Sequence, residues 1–146
     1  MHPTSTNIGA YLRTAGPSGA VQGYPPSTLS ASTDYGDAFS VVGFKSAVLT
    51  ASTGSATGGP TTQSTTVSLQ SSTASAADGT WADVAGTTVT LTADEKSGEV
   101  DINLVELPSG HGYVRTKVVV AFTGGTAPEQ AVAANLTLAG SSNLPV

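Results

Sequence analysis

Apolar and polar residues alternate along several short stretches between residue 60 and the end of the sequence. In TTVSLQS, Val67 and Leu69 alternate with polar neighbours, and the same pattern recurs in TTVTLTA, EVDINLVEL and AVAANLTLAG. A period of two is typical of β-strands with one buried face. The other apolar positions that these patterns place in a core are Val89, Leu91, Val100, Ile102, Leu104, Val132, Ala134, Leu136 and Leu138.

The longest apolar run lies in HGYVRTKVVVAFTGGTAP, residues 111–128, and carries two of the few basic side chains. Alternation predicts that Arg115 and Lys117 share one face of this strand with neighbours that become apolar towards its end. We expect an inner or interface strand whose far half is covered by another subunit or by the N-terminal part of the chain. Both cations would then lie at the rim, opposite Glu99 or Asp101, across the sheet or on a neighbouring subunit. The predicted outward set is Tyr113, Arg115, Lys117, Val119 and Ala121, and the inward set is Val114, Thr116, Val118, Val120 and Phe122.

Glycine- and proline-rich turns separate these stretches, as in residues 58–60, 96–98, 108–110 and 124–125. Residues 40–50, SVVGFKSAVLT, form a less regular first strand, and no amphipathic helix or internal repeat is evident. The spacing predicts an all-β fold, a single antiparallel β-sandwich of the jelly-roll or immunoglobulin-like kind, over residues 39–146.

Residues 1–38 have no periodic apolar face and contain the pair Pro25-Pro26, so they predict an extended N-terminal arm. The alternative is an irregular segment that packs on its own domain. Aromatic residues are unusual in a disordered linker, which favours an arm that becomes ordered on a partner. On this interpretation, deleting the arm leaves a folded domain that binds its partner less well. The arm residues that we expect at such a contact are Tyr11, Leu12, Arg13, Tyr24 and Tyr35.

Only 10% of the 146 residues are charged, the net charge is -5 and lysine and arginine total 5. A surface covered instead by small polar residues packs easily against neighbours, and it lacks the basic stripe that nucleic-acid binding needs. There are no cysteines. Neither a secretory signal nor a membrane-spanning run is evident, so we expect a protein that is made in a cytoplasm, stays soluble and contacts no membrane.

Three segments in the second half, taken in order, resemble small β-sandwich structural proteins of tailed-bacteriophage virions. They are ADGTWADVAG, GYVRTKVVVAFTGGTAP and VAANLTLAGSSNLPV. In that family a DG-x-W turn precedes the strand pair, a Y-V-R strand follows, and the chain closes on an L-P-V-like end. The resemblance covers the last half to two-thirds of the chain, and residues 1–38 carry no matching motif.

The resemblance implies a virion component without enzymatic activity or cofactor. It implies a head decoration (cement) protein on the capsid exterior, which binds the major capsid protein and itself, commonly as a trimer. Its contacts would be the arm residues together with Tyr113, Arg115, Lys117 and Val119. Minor capsid and tail-associated roles stay open.

Three other interpretations of single features were weighed. Trp81 is expected to pack at one end of the sandwich, but with Tyr113 and loop acids it could instead bind a glycan on a head fibre, tail or other appendage. His111 in PSGHGY lacks the pattern of a nucleophile elbow, so a hydrolase is the weaker alternative. The turn DEKSGEVD, residues 94–101, is expected to be a solvated hairpin tip, although its carboxylates could bind calcium.

Overall fold

The computed structural model describes residues 12–14, 23–76 and 79–140, and for residues 12–14 only the backbone. In these residues there are eleven strands, one short 3₁₀ turn and no α-helix. The strands are β1 Leu12–Thr14, β2 Tyr24–Leu29, β3 Ser32–Tyr35, β4 Phe39–Ser40, β5 Ser46–Thr57, β6 Thr62–Ser72, β7 Ala82–Asp83, β8 Val89–Leu91, β9 Ser97–Asn103, β10 Tyr113–Thr123 and β11 Glu129–Ala139, and the 3₁₀ turn is Leu104–Glu106.

The described strands form two antiparallel sheets. In the first, called sheet A, the order is β1-β11-β5-β9, and β2 continues the β1 edge along β11. In the second, called sheet B, the order is β3-β10-β6-β7, with β4 on the β3 edge and β8 on the β7 edge. The predicted fold class, an antiparallel β-sandwich, is confirmed.

The core lies between the two sheets and consists of the apolar positions that alternate along the strands. Leu49, Val67, Leu69, Val114 and Leu136 are completely buried. Nearly all the predicted inward positions are buried, while Val100 and Phe122 are half-buried against the core. The period-two pattern therefore identified the face of each long strand correctly, because one register shift would have exposed every apolar side chain.

Residues 23–38 are not an extended arm. β2 pairs with β11 in sheet A and β3 pairs with β10 in sheet B, so this segment supplies one edge strand to each sheet. The hydroxyl of Tyr24 donates to Asp34 Oδ2 at 2.7 Å and connects the two strands. For these residues the alternative interpretation, a segment packed on its own domain, is the one observed, and a deletion of residues 1–38 would remove both strands.

The crossing between the two sheets is tightly packed around Thr116. Its hydroxyl donates to the carbonyl of Gly23, and its own carbonyl accepts from the amide of Gly36 at 3.0 Å. A Cβ on Gly36 would overlap both the Gly23 carbonyl and Thr116 Oγ1. Only glycine therefore fits at position 36, where β3 ends against the buried face of β10.

Two predicted element boundaries differ from the structure. The first strand is interrupted by a turn with Gly43 at φ +90°, after which β5 begins at Ser46 and continues to Thr57. The turn predicted at residues 96–98 lies earlier, where Glu95 has φ +53°. Gly98 is instead part of β9, and a Cβ there would lie 2.8 Å from a methyl group of Val89. This close approach of β8 to β9 explains the glycine.

No helix in the described part of the chain is long and apolar enough to cross a membrane.

Candidate binding face on sheet B

The outer face of sheet B is formed largely by β10, whose side chains alternate as predicted. Tyr113, Arg115, Lys117 and Val119 point away from the core and are half-buried. Thr116 and Val118 point inward and are completely buried. The four outward residues therefore lie in one row along a strand between β6 and the β3/β4 edge.

Arg115 connects the aromatic side chains on this face. Its guanidinium carbon lies 4.1 Å from the centroid of the Tyr35 ring and 4.4 Å from that of Trp81. The indole nitrogen of Trp81 donates to the carbonyl of Ala76 at 3.0 Å, which fixes the ring. Arginine over an aromatic face is attractive and keeps its charge at the surface. Tyr35 is 43% exposed and Trp81 is half-buried, so both rings border solvent.

A network of hydrogen bonds and one ion pair also connects the polar side chains of this face. The Nε of Arg115 donates to Gln70 Oε1 at 2.9 Å, and Gln70 Nε2 donates to Asp83 Oδ1 at 2.8 Å. Lys117 Nζ completes the network with Asp83 Oδ2 at 3.0 Å. The hydrogen bond from Gln70, followed by that from Lys117, lowers the pKa of the Asp83 carboxyl. The network links β6, β7 and β10, and it holds Arg115 and Lys117 in fixed positions.

This pairing corrects the expected partners of the two cations within the chain. Glu99 and Asp101 lie on β9 of sheet A, whereas Lys117 contacts Asp83 on β7 of sheet B. Trp81, expected to pack in the core or at an edge, lies directly before the edge strand β7 and stacks on Arg115 outside the core cluster. No local pattern reveals either contact, since both depend on β7 pairing with β6 next to β10.

A depression of about 620 Å³ lies over these side chains. Tyr35, Trp81 and Arg115 form part of its wall, and Asp37 and Ser75 add polar groups. Aromatic walls with a few polar groups are typical of binding sites.

The other contact residues expected from the sequence fall into three groups. Tyr24 is 2% exposed and belongs to the core, so its expected role as a surface contact is wrong; burial, followed by the hydrogen bond to Asp34, raises its pKa to about 12. Leu12 and Arg13 pair with Ala139 and Leu138 of β11. Tyr11 lies outside the described residues.

His111 has one defined side-chain contact. Its Nδ1 lies 2.8 Å from Ser71 Oγ, but Ser71 is completely buried. A nucleophilic serine must reach its substrate, and this hydroxyl cannot. The hydrogen bond between Ser71 and His111 connects the loop before β10 to the end of β6.

The acidic turn in residues 94–101 is exposed, as expected for a solvated hairpin tip, and two of its carboxylates bond to neighbouring groups of the same chain. Asp94 Oδ1 accepts from Gln63 Nε2 at 2.6 Å and from the Ala56 amide at 2.8 Å, and these bonds lower the pKa of this carboxyl. Glu95 accepts from the Ser55 hydroxyl at 3.0 Å. In the described ranges, no three His, Cys, Asp or Glu side chains are grouped as metal ligands.

Comparison with known proteins identifies a similar fold among solved structures but does not assign the chain to a family. No protein-family model matches the sequence, and no curated protein matches it. Among solved structures, the chain is similar to PBSX exported protein XepA, with a TM-score of 0.55 and 12% identity. The similarity covers 97% of this chain and 40% of XepA, so the chain spans less than half the length of that protein. At this identity the similarity concerns the β-sandwich alone.

Two weaker similarities lie below the level at which a shared fold supports an argument. One is the C-terminal family 22 carbohydrate binding module of Clostridium thermocellum Xyn10B, with a TM-score of 0.42, 13% identity and coverage of 94% of this chain and 98% of the module. The other is Desmodium yellow mottle tymovirus, with a TM-score of 0.34, 10% identity and coverage of 82% and 90%.

Proposed function

We propose that this chain is a non-enzymatic virion structural protein of the head-decoration type, which binds the capsid shell through the outer face of sheet B. The partner is the major capsid protein, and further copies of the chain complete a homo-oligomer, for which a trimer is favoured. The protein is made in the host cytoplasm and acts on the capsid exterior. Its resemblance to tailed-phage structural proteins supports this assignment.

The observation that carries the proposal is the concentration of rare side chains on one face. The sequence has one tryptophan, four tyrosines and five basic residues. The outer face of sheet B collects Trp81, Tyr35, Tyr113, Arg115 and Lys117. Tryptophan, tyrosine and arginine are the residues that most often dominate the energetics of protein interfaces.

The face is also held in place before any partner binds. Trp81 is fixed by Ala76, and Arg115 is fixed by Gln70 and by the two rings. A face that is already ordered loses little conformational entropy on association. Many copies of such a contact, repeated by the symmetry of the shell, would bridge neighbouring subunits and resist internal pressure.

A second candidate, a glycan-binding module of a head fibre, tail or other appendage, is favoured by one observation. Tyr35 and Trp81 line the same depression as Asp37, which provides rings for stacking and an acceptor for hydroxyl groups. However, the guanidinium of Arg115 lies over one face of each ring, so that face is not available to a sugar. This favours the protein partner.

Binding of the purified protein to particles of its own phage from which its gene has been deleted tests the proposal. We expect Arg115→Gln to weaken binding by about 30-fold, the effect of losing a strong interface contact of about 2 kcal/mol. Lys96→Gln removes the same charge from an exposed position at the far end of the sandwich and is the matched control. Equal binding by both variants, or no binding by the unaltered protein, would contradict the proposal.

A glycan array separates the two candidates. We expect no saturable glycan signal from the unaltered protein. A signal that Trp81→Ala abolishes would establish the second candidate instead.

A further inference from the structure

We propose that the edge of β9, which no described strand covers, accepts an extended, lysine- or arginine-rich segment of a partner protein as an added strand. This edge lies on sheet A, and its groove shares only Asp83 with the network on the outer face of sheet B. A protein that bridges two neighbours needs a second contact, which this edge would supply, but the inference rests on the geometry of β9 itself.

β9 is the last strand of sheet A on its side, and its backbone pairing shows which groups are left outward. The amide of Leu104 donates to Lys45 at 3.0 Å, and the carbonyl of Lys96 accepts from Thr53 at 2.8 Å. Even-numbered residues therefore bond to β5. In an antiparallel ladder the alternate residues direct both backbone groups to the other side. The outward groups belong to Ser97, Glu99, Asp101 and Asn103.

The other edges in the described part of the sandwich are less suitable for an added strand. β2 contains Pro25 and Pro26, which have no amide hydrogen to donate. β4 and β7 have only two residues, β1 and β8 three, and β3 four. Short strands and prolines are common ways of protecting a sheet edge. β9 has seven residues and lacks both protections.

A groove of about 490 Å³ runs beside this edge, between β9 and the residues that follow β7. The half-buried Val84 and the exposed Pro108 supply apolar surface. Alternate side chains of an added strand would point towards this surface, as side chains do in strand-addition complexes.

The groove is lined by acidic residues, which favours a positively charged segment as its occupant. Asp83, Asp101 and Glu106 line it, and none of its described lining residues is a lysine or arginine. Asp83 already pairs with Lys117, and Glu106 accepts from Asn103, whereas Glu99 and Asp101 lie exposed on the edge strand itself. Two β9 strands from different copies would bring like charges together. A cationic strand from a different protein would instead be attracted.

Nuclear magnetic resonance of the full-length protein with short synthetic peptides tests the inference. The first peptide alternates lysine with valine, the second alternates glutamate with valine, and the third is the lysine peptide with every second amide methylated. We expect only the first to bind, and to slow hydrogen exchange at the amides of Glu99 and Asp101 by about tenfold or more. Equal binding of the methylated peptide, or binding without protection of these amides, would overturn the inference.

A pair of variants separates backbone pairing from charge. Glu99→Pro removes an outward amide hydrogen and leaves the bonds from β9 to β5 in place, as edge strands tolerate. Glu99→Gln removes the same charge and keeps the amide. We expect the proline variant to lose about tenfold more affinity for the lysine peptide than the glutamine variant. Thermal unfolding curves check that both variants are folded. Equal affinities would contradict strand addition.

The two proposals fail separately. Arg115→Gln tests the outer face of sheet B on virus particles, whereas the peptides test the edge of sheet A. Loss of particle binding with an intact peptide response, or the reverse, identifies which surface was assigned wrongly.

Discussion

The two outer faces of the sandwich are built from different kinds of side chain. On sheet A, β5 and β11 present Thr50, Ser52, Ala133 and Asn135, which are small and cover the backbone thinly. On sheet B, the aromatic and basic side chains around Arg115 are joined by stacking and by the Gln70 network. Small side chains therefore cover β5 and β11 on sheet A, whereas the outer face of sheet B carries large side chains that hold one another in fixed positions.

The difference shows that a low overall charge does not produce a uniform surface. Small polar side chains on sheet A make few mutual contacts, so single changes there alter little. Each large side chain on sheet B depends on its neighbours, so changes there are expected to be coupled. Matched substitutions on the two faces test this contrast.

The largest effect is expected at Gly36, where β3 ends beside the stack of Tyr35 on Arg115. A Cβ there would overlap backbone, so we expect Gly36→Ala to lower the free energy of unfolding by about 3 kcal/mol and the Tm by roughly 10 °C. Gly54→Ala on sheet A places its Cβ 3.3 Å from that of Ala131 and should cost less than about 1 kcal/mol. Calorimetry compares both variants, and equal losses would show that position 36 is no more restricted than position 54.

A smaller effect is expected at Gln70, which is 7% exposed and bonded to both Arg115 and Asp83. We expect Gln70→Ala to cost about 1–2 kcal/mol, because both partners lose a hydrogen bond near the surface of the sheet. Asn135→Ala on sheet A should change stability by less than about 0.5 kcal/mol. Urea unfolding measures both, and a small loss at Gln70 would show that the network contributes little to stability.

The smallest effect is expected from the Asp83 carboxyl. Because its pKa is lowered in the folded state, the ionised form stabilises the fold above the ordinary value of 3.8, and that contribution is lost as the pH falls through the folded value. The side chain is 62% exposed, so the contribution should be under about 1 kcal/mol. We expect Asp83→Asn to flatten the acid dependence of stability, with Asp101→Asn as the charge control; unfolding curves between neutral pH and about pH 3 measure it.

The sequence predicted the faces of the long strands because burial follows period two. Val67, Leu69, Leu136 and Leu138 were all placed correctly in the core. The same rule oriented Arg115 and Lys117 outward. Each of these conclusions needs only the alternation within one strand, which is local information.

The partners of those side chains could not be predicted, because the sequence of one strand does not show which other strands lie next to it. Asp83 meets Lys117 only because β7 and β10 both pair with β6. Tyr24 was interpreted as a surface contact because the two prolines after it argue against a strand. An edge strand tolerates proline, however, and β2 contains both. The N-terminal segment was therefore assigned to a partner, although its strands pair with strands of its own chain.

The position of β11 has a consequence for biosynthesis. This strand, residues 129–139, lies between β5 and the β1/β2 edge, and it follows every other described strand in the sequence. Tyr24 therefore has no neighbour in sheet A until Ala134 has been translated. Contacts so distant in sequence close slowly. Sheet A should therefore be completed only after β11 has left the ribosome, by which time every other described strand has already emerged.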